Sequence, residues 1–358
     1  MSKRVLFDVG HPAQVHQFKH LYWQLSKQGW TCLFVAKDKD ITKYLLETYE
    51  LDYKLLSSNK KGLIKKILNL PKEYAAFYRI VKSFKPDFIL SRFSIHSAHI
   101  AWLMRIPNIA FSDTEHTTFF HKLTLPFVTR KLTGDSYLID LGKNHLRYKS
   151  NIELFYLHPS IFTPDPSILD DLGVSRDEKY VIIRFVSWNA HHDVGLSGLT
   201  LEFKTKLATE VSKFAKVFIT SEAELPLELQ KYQIRVAPEQ MHSIMSYSSL
   251  YIGEGGTMAS EAACLGVPAI YVNSLDAGVF HDEANFDLLY SFRDANGVIE
   301  KAKELLSTQD LKELFSERLA AFLKDKINPT AFVLWLLTNY PESLQKFENN
   351  PKIQDTFK

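Results

Sequence analysis

The clearest chemical pattern runs from Gly253 to Pro268, G-E-G-G-T-M-A-S-E-A-A-C-L-G-V-P. A glycine run between a strand and a helix lets the backbone approach a ligand closely and aims the unpaired N–H groups of the helix start at a bound anion. A diphosphate suits such a turn. Glu261, about one turn into the helix, is placed to accept two hydroxyl protons, the way a ribose diol is held. The plainer alternative is a glycine-rich turn with a surface glutamate, because the spacing is neither the dinucleotide fingerprint nor the P-loop.

Three other groups carry titratable side chains. His11 and His16 stand in G-H-P-A-Q-V-H behind the first apolar run, and a histidine can take a proton from an attacking hydroxyl. A structural role is the alternative for each. Asp113, Glu115 and His116 form D-T-E-H behind another apolar run, two carboxylates and an imidazole from which an acid–base pair can be made. Asn189 to Asp193 reads N-A-H-H-D, expected to line a diphosphate pocket or cap a loop. Neither cluster has a metal spacing such as H-E-x-x-H, so no metal is expected.

The elements that must position these groups follow from periodicity and breakers. Strands are predicted at Val5 to Val9, Thr31 to Ala36, Phe88 to Ser91 and Asn108 to Phe111, with helices at Val15 to Gln28, closed by Gly29, and Ser97 to Met104. After a proline-rich linker at His158 to Pro166 the alternation restarts. Strands are predicted at Tyr180 to Phe185, Lys216 to Thr220, Leu250 to Gly253 and Ala269 to Val272; helices are predicted at Leu201 to Phe214, Glu239 to Ser246 and Met258 to Leu265. The expectation is an α/β protein of two doubly wound, Rossmann-like domains, 1–160 and 161–340, facing a central cleft, with a tail at 341–358. Pro329 to Asn339 reads as an apolar helix opened by proline, either crossing back onto the first domain or lying in the core of the second.

Composition narrows the class. The 358 residues are 46% hydrophobic and 23% charged, which excludes disordered and low-complexity chains. Two cysteines, Cys32 and Cys264, cannot build a disulfide framework. Without a signal-peptide pattern or an apolar run long enough to span a bilayer, a cytoplasmic protein is expected. The net charge of +2 conceals an asymmetry: residues 1–150 hold 24 Lys and Arg against 12 Asp and Glu, and residues 151–358 hold 19 against 29. Lys54 to Lys85 contains nine cations and the single acid Glu73, interleaved with Leu63, Ile64, Ile67, Leu68, Tyr74, Phe77 and Tyr78. That pattern reads as a basic amphipathic helix pair, either a solvated face or a dock for anionic lipid headgroups or a phosphorylated acceptor. No nucleic-acid motif accompanies it.

The segment Gly255, Ser260, Glu261, Gly266, Pro268, Ala269 resembles the nucleotide-binding signature of GT-B enzymes, notably the N-acetylglucosaminyltransferase that makes lipid II and, less closely, the UDP-GlcNAc 2-epimerases. Over its whole length the chain resembles the family called domain of unknown function 354. The resemblance rests on G-H-P-A-Q-V-H, D-T-E-H, R-F-V-S-W-N-A at Arg184 to Ala190, and I-G-E-G-G-T-M-A-S-E-A. It implies a GT-B fold with Glu261 on the ribose and Gly255, Gly256 and Thr257 along the diphosphate. Arg184, Ser187 and Asn189 fall in the other phosphate-facing loop, His281 and Asn285 face the donor sugar, and Met241 and His242 border the base. An arginine at 184 would neutralise the departing diphosphate without a metal. The implied function is a nucleotide-sugar-dependent glycosyltransferase with a UDP-sugar donor, a base at His16 or His11 and a lipid-phosphate or glycan acceptor. A sugar-nucleotide 2-epimerase using Asp113 and Glu115, and a binding protein without turnover, are the alternatives.

Overall fold

The computed structural model describes residues 2–38, 41–58, 63–115, 118–186, 199–221 and 224–358, with backbone alone at 38, 57–58, 63–69 and 118–120. The chain divides into two units, Met1–Tyr156 with Lys326–Lys358, and Leu157–Asp325. Of the site residues expected from the sequence, His116, Ser187 and Asn189 lie outside the described residues, as does His191 to Asp193.

The first unit is a seven-stranded parallel sheet of β1 (Arg4–Val9), β2 (Thr31–Asp38), β3 (Tyr53–Ser58), β4 (Phe88–Ser91), β5 (Asn108–Ser112), β6 (Arg130–Gly134) and β7 (His145–Tyr148). Their order is β3-β2-β1-β4-β5-β6-β7. Val5, Leu6, Phe7 and Val9 are wholly buried, as expected where helices cover both faces of a parallel sheet. The strand order reverses between β1 and β4, paired in the register Phe7 to Leu90 and Asp8 to Ser91. Ligands of such sheets bind outside the carboxyl ends at that reversal.

The helix after β1 runs Pro12–Lys27, three residues earlier than its periodicity predicts. The extra turn comes from its start: the His11 ring nitrogen Nδ1 accepts the Ala13 N–H at 3.3 Å, and Pro12 at the first helical position has its φ already set. Gly29 closes the helix at φ +81°, where a side chain would be strained. The basic tract is not a helix pair. Its first part is the edge strand β3, hydrogen-bonded to β2, and its second is one helix, Leu63–Phe84, with Pro71 inside.

The expected boundary at residue 340 also shifts, because everything from Lys326 onward belongs to the first unit. The Pro329–Thr338 helix packs on Pro12–Lys27, with Phe332, Val333, Leu336 and Leu337 fully buried, each worth about 1.5–3 kcal/mol. Polar ties fix the same segment: Thr330 Oγ1 donates to the Phe155 carbonyl at 2.8 Å, and Lys149 Nζ pairs with Asp355 at 2.9 Å.

The second unit is a five-stranded parallel sheet of β8 (Tyr180–Phe185), β9 (Lys216–Ser221), β10 (Leu250–Gly253), β11 (Ala269–Val272) and β12 (Leu289–Phe292) in the order β12-β11-β10-β8-β9. Here the reversal lies between β8 and β10, which places Arg184 beside Gly253. Among the described residues no helix is long and apolar enough to cross a membrane.

Candidate functional site

At the reversal in the second unit, β10 runs through Gly253, Glu254 and Gly255 into the Gly256–Cys264 helix. The backbone needs its glycines. A Cβ at 253 would collide with the buried hydroxyl of Tyr251, and one at 256 would stand 2.6 Å from Phe280 Cζ. Phe280 is itself fixed against Tyr271, with ring centroids 4.5 Å apart. Among the described residues no side chain caps this helix, and its first N–H groups have no acceptor one turn back. Gly255, Gly256 and Thr257 are partly or fully exposed, so the turn presents backbone donors and the positive end of the helix dipole to an anion.

One turn on, Glu261 is buried and accepts from His242 Nε2 at 3.1 Å. His242 belongs to the Met241–Tyr247 helix, next to Phe162. The bond orients the Glu261 carboxylate beside the glycine turn. Arg184 ends β8 alongside, and the Glu254 N–H donates to its carbonyl at 3.3 Å. Its charge reaches Tyr251, whose phenol burial drives well above its usual range while Arg184 pulls it back down.

Glu254 carries no signal of its own in the sequence beyond its place in the glycine run. Its side chain is wholly buried. Oε1 accepts the Leu199 N–H at 2.7 Å, and Oε2 accepts the Val186 N–H at 3.3 Å and faces Lys204 Nζ at 3.4 Å. Asn273 Nδ2 donates to the Glu254 carbonyl at 3.0 Å. One residue of the glycine turn thus holds the Val186 and Leu199 amides together.

Three more residues expected on the donor have the following places in the fold. Ser260 is buried and its hydroxyl donates to the Glu283 carboxylate, which joins the Gly256–Cys264 helix to the Gly278–Asn285 helix. Its position in the helix turns it inward, away from the exposed first turn. Asn285 ends the Gly278–Asn285 helix, about 11 Å along the axis from its start, where the chain turns toward β12. His281 is exposed and paired with Asp276 at 2.9 Å, on the same helix but nearer the sheet edge.

In the first unit the carboxyl edge holds a different set. His11 is exposed and caps its helix, and Gln14 Oε1 accepts the Gly10 N–H at 2.7 Å. His16 is buried, with Nδ1 3.3 Å from Tyr49 Oη and its ring against Tyr156, a packed position rather than an edge one. Asp113 forms an ion pair with Arg92 and accepts from Thr114 Oγ1 at 2.8 Å. Burial alone would raise its pKa, but the Arg92 charge and these bonds outweigh burial and hold it below the ordinary range. Glu115 turns inward and accepts the Leu138 N–H at 3.3 Å. The two carboxylates therefore face different partners. Arg92, which also donates to Gln17 Oε1 at 3.1 Å, had no signal in the sequence beyond its place after β4.

Between β1 and β4 lies a pair the motifs did not point to. His96 Nε2 and Asp8 Oδ2 are 3.0 Å apart, and both residues are buried. Burial would raise the Asp8 pKa, but the His96 charge and bonds from His96, Ser94 and Ser97 outweigh it and hold the group below its usual value. The available signal was a charge in a strand of otherwise buried apolar residues. Among the described residues no three His, Cys, Asp or Glu side chains gather in a metal-binding arrangement.

This geometry has counterparts among known proteins. An uncharacterized protein of Methanocaldococcus jannaschii is 23% identical over 340 residues, covering 89% of this chain and 98% of that protein. The UDP-N-acetylglucosamine–N-acetylmuramyl-(pentapeptide) pyrophosphoryl-undecaprenol N-acetylglucosamine transferase of Legionella pneumophila is 23% identical over 293 residues, 76% of this chain and 77% of that one. In structure, the UDP-GlcNAc 2-epimerase of Neisseria meningitidis, solved with UDP-GlcNAc bound, matches with a TM-score of 0.58 at 12% identity, over 90% of this chain and all of its own. The fold is the GT-B fold of glycosyltransferases and sugar-nucleotide epimerases. From residue 3 to residue 327 the chain matches the family described as protein of unknown function (DUF354), and it belongs to that family.

Proposed function

We propose that the chain is a nucleotide-sugar-dependent glycosyltransferase whose donor is a UDP-sugar held by the second unit. The observation that carries this reading is the exposed glycine turn with Glu261 oriented by His242 beside it, at the strand reversal where such sheets bind ligands. In this reading the N–H groups of Gly256 and Thr257 hold the diphosphate and Glu261 takes the ribose hydroxyls. Arg184 offsets the charge of the departing diphosphate, so no metal is required. His281, with Asp276, borders the sugar.

The acceptor is a lipid-linked phosphate or glycan reached at an anionic membrane surface, on the cytoplasmic face where nucleotide sugars are made. Two features support this. Residues 1–150 carry the cationic excess, with Lys72, Arg79, Lys82 and Lys85 exposed. Trp102 and Leu103, 62% and 65% exposed, stand beside Arg105, an apolar tip with a cation as interfacial proteins carry. The Legionella relative acts on an undecaprenol-linked acceptor by its name. A 2-epimerase is the second reading, favoured by the fold of the Neisseria enzyme and weakened by the separate partners of Asp113 and Glu115.

Incubation with a panel of UDP-sugars, alone and with polyprenyl-phosphate-linked acceptors in phosphatidylglycerol vesicles, tests it. Release of UDP only with acceptor is expected. Conversion of the sugar nucleotide to its 2-epimer without acceptor would replace the transferase reading with the second one.

A further inference from the structure

The loops entering β4 and β5 both turn through a cation where glycine is the residue at ease. Lys85 has φ +51° and Arg105 has φ +57°, the left-handed region in which a side chain is strained. Both are exposed, and among the described residues neither side chain has a hydrogen bond or an ion pair. The two positions are neighbours. β4 and β5 pair in the register Ile89 to Asn108, and the Ile89 N–H donates to the Pro107 carbonyl at 3.0 Å. On the other side of β4 the Asp87 N–H donates to the Arg4 carbonyl at 2.8 Å, and the Thr31 N–H of β2 donates to the Lys3 carbonyl at 2.9 Å. Lys3, Arg4, Lys85 and Arg105 therefore line the amino-terminal edge of the first sheet, all exposed. Of the nearby acids, Asp87 accepts the Arg4 N–H at 2.7 Å and Glu348 pairs with Arg130 at 3.3 Å.

Beside these cations the same edge is apolar. Trp102 and Leu103, near the end of the Ile95–Met104 helix, have more than half of their surface in water, and Leu123 and Pro126 are exposed as well. Ile106, Pro107 and Phe127 help to line a groove of about 550 Å³ that Trp102 and Arg105 border. Ligands of such a sheet bind at its carboxyl edge, and the extended run from Pro107 to Asp113 spans about 20 Å between the two edges. The apolar tip therefore lies apart from the crevice.

We propose that the amino-terminal edge of the first sheet docks on an anionic bilayer, with Trp102 and Leu103 entering the interface and Lys3, Arg4, Lys85 and Arg105 meeting phosphate headgroups. The assignment rests on the membrane part of the proposed function and is independent of the transfer chemistry. An apolar tip beside a row of cations matches such a surface in both its charge and its hydrocarbon. A second copy of the same edge would instead bring like charges together. Docked in this way, the chain leaves its carboxyl edge uncovered.

Sedimentation of the full chain with vesicles tests it. Binding to vesicles of phosphatidylcholine with phosphatidylglycerol is expected, with little to phosphatidylcholine alone and a fall as salt rises. One cation near such a surface is worth about fivefold in partition, so Lys85→Gly with Arg105→Gly should lose about 25-fold. Glycine suits both backbone positions, so the Tm of this variant should equal or exceed that of wild type, which separates docking from folding. Leu103→Gln should lose about tenfold or more. Lys72→Gln with Arg79→Gln, which removes two exposed cations within the Leu63–Phe84 helix, should lose much less. Absence of binding to the anionic vesicles, equal binding to neutral ones, an equal loss in the helix variant, or a dimer in solution that Leu103→Gln dissolves would each overturn the proposal. Vesicle binding by a protein that transfers to no acceptor would support the docking edge and defeat the transferase reading alone.

Discussion

Replacing Glu254 by glutamine should weaken the hold on the Val186 and Leu199 amides without changing side-chain size. The carboxylate now accepts the Leu199 N–H at 2.7 Å on one oxygen, and the Val186 N–H at 3.3 Å with Lys204 Nζ at 3.4 Å on the other. Glutamine retains one oxygen. If it keeps Leu199, its NH2 faces the Val186 N–H and the Lys204 ammonium, donor against donor. A hydrogen bond to a charged group contributes about 1.5–3 kcal/mol, and removing one member of a buried ion pair costs about 3–5 kcal/mol. Lys204 is 17% exposed and can turn toward water, so the lower part of that range applies, about 2–4 kcal/mol. At 1.4 kcal/mol per factor of ten, native-state hydrogen exchange at the Val186 and Leu199 amides should accelerate about 30- to 1,000-fold. Lys204→Met keeps both N–H bonds but leaves the buried carboxylate without its cation, so its effect on the same amides measures the ion-pair share separately. Unchanged exchange in Glu254→Gln would refute the tie, and an equal effect of Lys204→Met would assign the energy to the ion pair instead.

Other outcomes follow from the same contacts. Gly256→Ala places a methyl against Phe280, which is held by Tyr271, so urea unfolding should show a loss of about 1–3 kcal/mol; full stability would mean that the turn has room to spare. Burial pushes the Cys32 thiol up to about 11, so iodoacetamide at pH 8 should leave it unmodified until the protein unfolds, and rapid native labelling would contradict its enclosure. Burial, with the neighbouring Lys19 charge, lowers His20 from 6.5 to about 4. The unfolded chain then binds the extra proton first, so stability present above pH 6.5 is lost as pH falls toward 4; the lowered Asp8 acts in the same direction below its usual 3.8. A urea midpoint that falls from pH 7.5 to pH 5 and flattens in His20→Gln is expected, and an equal slope in the variant would remove His20 from the account.

Legibility tracked the range of the interactions. β1, β8 and β10 stood out because their residues are apolar on both faces, and the glycine turn because close approach allows nothing larger. β6 and β7, R-K-L-T-G and H-L-R-Y, were hidden by their cations. Lys131 is buried inside β6 only because its ammonium donates to the Leu141 and Lys143 carbonyls at 3.1 and 2.8 Å. β3 was absorbed into a helix because its Lys54 and exposed Leu55 look like one side of an amphipathic pattern, while the edge position that makes them a strand depends on β2. The places of Ser260 and Asn285 share a cause. The resemblance put Ser260 in the nucleotide-binding signature and Asn285 on the donor sugar, but which face or end of a helix they occupy is set by Glu283 and β12. Asp8 with His96, Arg92 with Asp113, and Glu254 with Leu199 and Lys204 are joined across 21 to 88 residues, distances at which sequence spacing carries no information.

The central claim is that the glycine turn and Glu261 hold a nucleoside diphosphate. Thermal unfolding of wild type and Glu261→Ala, titrated with UDP in the absence of metal and again with magnesium, tests it most directly, since a ligand bound only by the folded chain raises stability with its concentration. The account predicts a concentration-dependent rise in Tm for wild type without metal and none for Glu261→Ala. No response of wild type to UDP or to other nucleoside diphosphates, or an equal rise in both proteins, would contradict it.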